Sequence, residues 1–151
     1  EALDRYPGMV FASHSNPRAL VSRPLYPERH MSDTAIRRLV ERDGVIGIVP
    51  YNRFLRGDWA VTEGRHEFTL ADVAARIDYI CQLAGDAAHA GIGSDFDGGF
   101  GLGAVPLGLD SVADLRLIGE VLAARGYNQA DVEAVLGGNW LRTLRKALPE
   151  T

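Results

Sequence analysis

A chain of 151 residues with 46% apolar side chains, a formal net charge of −4 and a pI near 5.5 is long enough to bury one sizeable core. It has neither the basic excess that nucleic acid attracts nor an apolar run approaching the ~20 residues of a membrane span, so DNA, RNA and the bilayer are excluded as expected partners. The single cysteine, Cys81, falls in an amphipathic pattern and reads as a small buried residue rather than a nucleophile or ligand; no disulfide framework is available, which fits a reducing compartment such as the cytoplasm. Only Lys146 among the 16 basic residues is lysine, a compositional bias of GC-rich bacterial genomes.

Residues 1–6 read as the tail of a helix stopped by Pro7-Gly8, with no initiator Met and no leader pattern, as if the chain began inside a larger unit. Met9 to Ser13 is a short run without polar alternation, expected as a strand covered on both faces. It ends on His14-Ser15-Asn16. Ser32 is the expected cap of a helix carrying Ala35, Ile36, Leu39 and Val40 at helical spacing up to Asp43-Gly44. A second buried strand, Val45 to Val49, is closed by Pro50. Residues 52–68 show no period and read as a long loop. Thr69 caps a helix with Val73, Ile77, Ile80, Cys81 and Ala84 on its buried side, ended by Gly85. A third strand is expected from His89 to Asp95, then a glycine-rich loop, a helix from Ser111 to Arg125 and a last helix from Asn128 toward Leu148 that Gly137-Gly138 interrupts.

Strands alternating with helices argue for crossover connections and a parallel sheet. The class is α/β. Three strands cannot close a barrel of eight, so residues 1–151 are expected to form a single unit that is part of a larger (β/α)8 TIM-type barrel, with parallel strands, extra C-terminal helices and its N-terminal half absent.

Chemistry concentrates at the strand ends. In Gly91-Ile92-Gly93-Ser94-Asp95-Phe96-Asp97-Gly98-Gly99, Asp95 falls on the same side as Gly91 and Gly93, which places a carboxylate at a strand tip over a roomy face; turn formation is the competing use of such residues. Tyr51 and Phe54 follow another strand tip and are candidates for lining a substrate pocket. His89 stands six residues before Asp95, roughly 20 Å away along a strand, and reads as structural. His30 and His66 read as exposed rather than catalytic, with substrate contact as the alternative for His30 beside Arg29, and Trp140 reads as core. The glycines from Gly98 to Gly103 lack the lysine of a phosphate-binding loop.

Four segments taken together, Phe11-Ala12-Ser13-His14-Ser15-Asn16-Pro17-Arg18-Ala19-Leu20, Gly44 to Ile48, Gly91 to Gly99, and Gly137-Gly138-Asn139-Trp140-Leu141-Arg142, resemble the C-terminal half of the membrane (renal) dipeptidase family of zinc metallopeptidases, in its bacterial branch. The resemblance implies a (β/α)8 barrel with two zinc ions at the strand ends, bridged by a glutamate, and zinc-dependent hydrolysis of dipeptides. The His-x-Asp ligands and the bridging glutamate lie upstream in the family and are not in this chain. By the same resemblance His14 is a zinc ligand, Asp95 shuttles the proton between attacking water and departing amine, and Arg29 binds the substrate's free carboxylate. The family reads Arg-Asn where this chain has Arg29-His30, which leaves Arg23 as the alternative arginine. Apart from the resemblance, Asp97 is expected to hydrogen-bond loop amides and hold Asp95 in place, with direct chemistry as the alternative.

The expected partners are a dipeptide and the missing N-terminal half or another chain, with a homo-oligomer as a further option; the fragment alone is expected to be inactive. Two other readings stand beside this one. One is a different metal-dependent barrel amidohydrolase. The other is a non-catalytic truncated barrel module that associates with another chain through open sheet edges.

Overall fold

The computed structural model describes residues 2–148. Its helices are α1 (Ala2–Arg5), α2 (Asp33–Val40), α3 (Asn52–Leu55), α4 (Leu70–Ala84), α5 (Leu117–Ala124), α6 (Gln129–Glu133) and α7 (Asn139–Ala147), with strands β1 (Ile46–Ile48) and β2 (Ala90–Ile92). The strands are parallel, with Ile46 opposite Ala90 and Ile48 opposite Ile92. Parallel neighbours require a crossover, and the connection between these runs through α3 and α4.

Local chemistry explains where the helices begin and end. The Ser32 hydroxyl accepts from the Ala35 amide at the start of α2. At the start of α4, Thr69 and Asp72 form a reciprocal capping box, and Gly85 closes that helix in the left-handed conformation at φ 88°, where a residue without Cβ is favoured. Ile46, Ile48 and Ala90 join Ile36 and Leu39 of α2, Val73, Ile77 and Ile80 of α4, and Ile118 and Leu122 of α5 in one buried core. Alternation along a strand sends Gly47 and Gly91 to the opposite face.

That face is tight rather than roomy. A Cβ on Gly47 or Gly93 would lie 2.2 or 2.0 Å from the Ser13 carbonyl oxygen, and one on Gly91 would lie 2.6 Å from Trp140 Nε1. The glycines are required because backbone and an indole ring approach the sheet directly.

Several expectations are corrected. Residues 9–13 are extended but form only a single parallel bridge, Ala12 with Ile46, tied by the Ala12 amide to Val45 O, the Gly47 amide to Ala12 O and the Ser15 amide to Gly47 O. Phe11 on this segment is 49% exposed, so the segment is not covered on both faces. The loop from 52 to 68 contains α3 and two single 3₁₀ turns, Val61–Glu63 and Arg65–Glu67. The helix expected from Ser111 begins as a 3₁₀ segment, Val112–Arg116, before α5. The third strand ends at Ile92, three residues short of Asp95. The last helix is broken as expected: a wide π-type turn, Ala134–Gly138, joins α6 to α7, with Gly137 non-helical. Residue 1 of the expected N-terminal helix lies outside the described residues, whereas Ala2–Arg5 is helical.

The outer edge of β2 is occupied. The His89 carbonyl and the Gly93 amide bond toward β1, so alternation turns the carbonyls of Ala90 and Ile92 to the other side. Both are taken by side chains of α7: Asn139 Nδ2 donates to Ala87 O at 2.7 Å and Ala90 O at 2.8 Å, and Trp140 Nε1 donates to Ile92 O at 3.0 Å. Trp140 thus seals an edge as well as packing edge-on against Phe11. Asp43 anchors the same helix, accepting from Arg142 and Lys146.

Candidate active site

His14 and Asp95 meet where residues 9–15 and β2 end on the same side of the sheet. Their side chains are partly exposed, with His14 Nε2 4.0 Å from Asp95 Oδ1. His14 Nδ1 is 2.8 Å from the Ser13 hydroxyl, a contact that orients the ring and turns Nε2 toward Asp95. Asp95 adopts a left-handed backbone at φ 54°, a strained conformation that Asp and Asn tolerate better than most residues. Its carbonyl accepts the Gly98 amide at 2.8 Å, so the chain turns sharply and lifts the carboxylate off the strand. Asp95 therefore sits on a turn beyond the strand tip rather than in the strand itself.

Arg29 reaches the same place from the loop before α2. Its Nη1 donates to the His14 carbonyl at 2.6 Å and its guanidinium lies 4.8 Å from the centre of the Phe54 ring. Arg23 is drawn elsewhere, paired with Asp58 at 2.7 Å, so of the two candidate arginines it is Arg29 that the fold brings to His14. Tyr51 stands between two rings, 5.2 Å from Phe54 and stacked at 4.6 Å on Phe100. Asp97 is exposed, and among the described residues no hydrogen bond joins it to Asp95 or to a loop amide.

His30 is buried, not exposed as expected. It is 5% accessible, packs edge-on against Phe54 at 5.3 Å, and its carbonyl accepts from both Arg18 Nε and Nη2. Burial, followed by the positive charges of Arg29 and Arg18, lowers its pKa, so the ring is neutral at neutral pH. His66 is exposed. His89 is buried and hydrogen-bonds Gly44 O through Nδ1 at 2.8 Å, away from Asp95 and structural as expected. Cys81 is buried among apolar neighbours, and burial pushes its thiol up to about 11, which suppresses the thiolate that reactivity needs.

Two contributors escape a reading of the sequence. Asn16 is fully buried and clamps two strand ends: its amide donates to Val49 O and Phe54 O, each at 3.1 Å, and its oxygen accepts the Val49 amide at 2.9 Å. Phe100, held between Gly99 and Gly101 at positive φ, folds back on Tyr51. The only signal for Asn16 is an amide side chain directly after a strand tip, and Phe100 has none.

The residues fit a metal in part. His14 offers one oriented imidazole and Asp95 an oxygen nearby, whereas a closed zinc site takes about four donors; no group of three or more His, Cys, Asp or Glu side chains suited to a metal occurs among the described residues.

Residues 4–149 match the membrane dipeptidase family, peptidase family M19. The chain is 35% identical over 138 residues to an uncharacterised protein in the pqqA 5′ region of Klebsiella pneumoniae, covering 90% of this chain and 46% of that protein. It is 34% identical over 135 residues to the dipeptidase aclJ of Aspergillus oryzae, covering 89% of this chain and 29% of that one. Among solved structures, a metallopeptidase from Rhodobacter sphaeroides liganded with a phosphinate mimic of the dipeptide L-Ala-D-Ala superposes with a TM-score of 0.79 at 25% identity, over 97% of this chain and 38% of that chain. The chain belongs to the membrane dipeptidase family, and it spans less than half the length of these relatives.

Proposed function

We propose that this chain is the C-terminal part of a (β/α) barrel whose intact form hydrolyses dipeptides with the help of zinc. The observation that carries the reading is the convergence of an oriented imidazole, a carboxylate and a guanidinium: His14 Nε2 lies 4.0 Å from Asp95, and Arg29 is bonded to the His14 carbonyl. The Aspergillus relative named as a dipeptidase and the Rhodobacter structure holding a dipeptide mimic support it.

The roles follow from the chemistry of the side chains. Arg29 spends one N–H on His14 and keeps the rest of its fork for a carboxylate, which a guanidinium binds with both charge and bidentate geometry. That contact sets the scissile bond beside Asp95. As general base the Asp95 carboxylate takes the proton of the attacking water, and as general acid it returns it to the departing amine, leaving Asp95 ionised as at the start. His14 would hold the metal, together with ligands from outside these residues; a zinc bound there supplies Lewis acidity and lowers the pKa of water. A cleft of about 420 Å³ beside His14, lined by Phe11, Ser94, Trp140 and Leu144 among others, leaves room for such ligands.

The reading is tested by dipeptide turnover in zinc. A protein with the full ligand set, this chain joined to the N-terminal part of a family relative, is expected to release free amino acids, whereas the 151-residue chain alone is expected to release none. Turnover by the chain alone contradicts the assignment of the remaining ligands to another segment.

A further inference from the structure

A second cleft, of about 220 Å³, opens beside Arg29 and has Tyr26, His30, Tyr51 and Phe54 among its walls. Three of its lining rings are in contact with one another. His30 lies edge-on to Phe54 at 5.3 Å, Phe54 meets Tyr51 at 5.2 Å, and the Arg29 guanidinium stands 4.8 Å from the Phe54 centroid at one end. Such surfaces favour a flat apolar group, which gains both burial and edge or face contacts.

The wall is held in place from behind. Asn16 ties the Phe54 carbonyl to the tip of β1, and Arg18 grips the His30 carbonyl. Two guanidiniums line the cleft, those of Arg29 and Arg53, and the Arg53 Nε is taken up by the Trp59 carbonyl at 3.1 Å. The rim is less settled: Leu25 and Tyr26 are 59% and 68% exposed, large apolar side chains presented to solvent where a ligand would cover them. A fixed aromatic wall, an apolar rim and the Arg29 guanidinium at one end together describe a receptor for a carboxylate that carries a ring.

We propose that this cleft receives the side chain of the dipeptide's C-terminal residue, whose carboxylate Arg29 holds, and selects flat apolar side chains over small ones. The inference rests on the dipeptidase reading above and adds the class of dipeptide. It makes Tyr26, His30 and Phe54 specificity residues, set apart from the proton chemistry of Asp95.

The test uses binding, so that no metal is needed. The metal-free chain is titrated calorimetrically with N-acetyl-L-phenylalanine, N-acetyl-L-alanine and N-acetyl-L-phenylalaninamide. The first is expected to bind about tenfold more tightly than either of the others, the scale of discrimination that an apolar pocket gives. The Tyr26→Ala and Phe54→Leu variants are expected to lower its affinity toward that of the alanine compound; Tyr26 is exposed, so its truncation leaves the fold intact. Equal affinities for the phenylalanine and alanine compounds, or an unchanged preference in Tyr26→Ala, overturn the proposal. If the preference holds while a protein with the full metal set cleaves no dipeptide, the dipeptidase reading fails and the cleft stands as a site for ring-bearing carboxylates. If dipeptides are cleaved while the preference is missing, the reverse is true.

Discussion

His30 shows how a single side chain can be misread from sequence and what its true position costs. Flanked by Arg29 and preceded by a proline-rich loop, it has the neighbours of a solvated residue, yet Arg18 and Phe54 draw it into the wall of the ring-lined cleft. Both partners are brought there by the fold: Phe54 lies 24 positions along the chain and across a strand. The burial has a consequence for stability. The pKa of His30 is lowered from its usual 6.5, first by desolvation and then by Arg29 and Arg18, so below pH 6.5 the unfolded chain takes up a proton that the folded chain refuses. Stability contributed by this group is present above 6.5 and is lost as the pH falls toward the lowered value. Thermal unfolding of the chain is therefore expected to shift to lower temperature between about pH 7 and 5, and His30→Asn, which cannot titrate, is expected to flatten part of that slope. An identical slope in the variant would show that the acid sensitivity comes from elsewhere.

At the scale of elements, the caps and the buried stripes are legible because they are local. Ser32, Thr69 and Gly85 act where propensity places them, and Val73, Ile77 and Ile80 need only the 3.6-residue period to mark their face. What is not legible is pairing. Residues 9–13 have the composition of a strand, but regular ladder formation stops at Ala12, and the neighbouring chain turns at Ser13-His14 to bring the imidazole forward. The edge of β2 is equally invisible in sequence, since Asn139 and Trp140 lie some fifty positions from the carbonyls they satisfy. Removing the buried amide exposes the cost of that arrangement: Asn139→Ala leaves two carbonyls without a donor and is expected to destabilise the chain by about 2 kcal/mol. Urea unfolding measures it. A loss below a few tenths would mean that water or a neighbouring donor takes over the edge.

For the molecule as a whole, the order of the four motifs is the part of the sequence that points most strongly to function, and the geometry explains why order matters. His14, Tyr51 and Asp95 follow three successive extended segments, and parallel packing delivers all of their C-terminal ends to one rim. Arg29 is added from a loop. No group of three or more metal-suited side chains occurs among the described residues, and Phe11 and Leu144 leave an apolar surface open beside His14; on our reading both facts call for the segment that the longer relatives carry. On the proposed reading the chain holds the proton-transfer and substrate-holding side of the site, and only one imidazole of its metal side.

If Asp95 moves the proton in dipeptide hydrolysis, a single substitution reveals it. Asn is isosteric with Asp and tolerates the left-handed backbone at this position, so Asp95→Asn removes the base without disturbing the turn. Dipeptide turnover is to be compared between a protein with the full ligand set and its Asp95→Asn variant, at equal zinc content. A fall in kcat of about 10²- to 10⁴-fold is expected, with zinc retained. A kcat unchanged by the substitution would contradict the role given to Asp95.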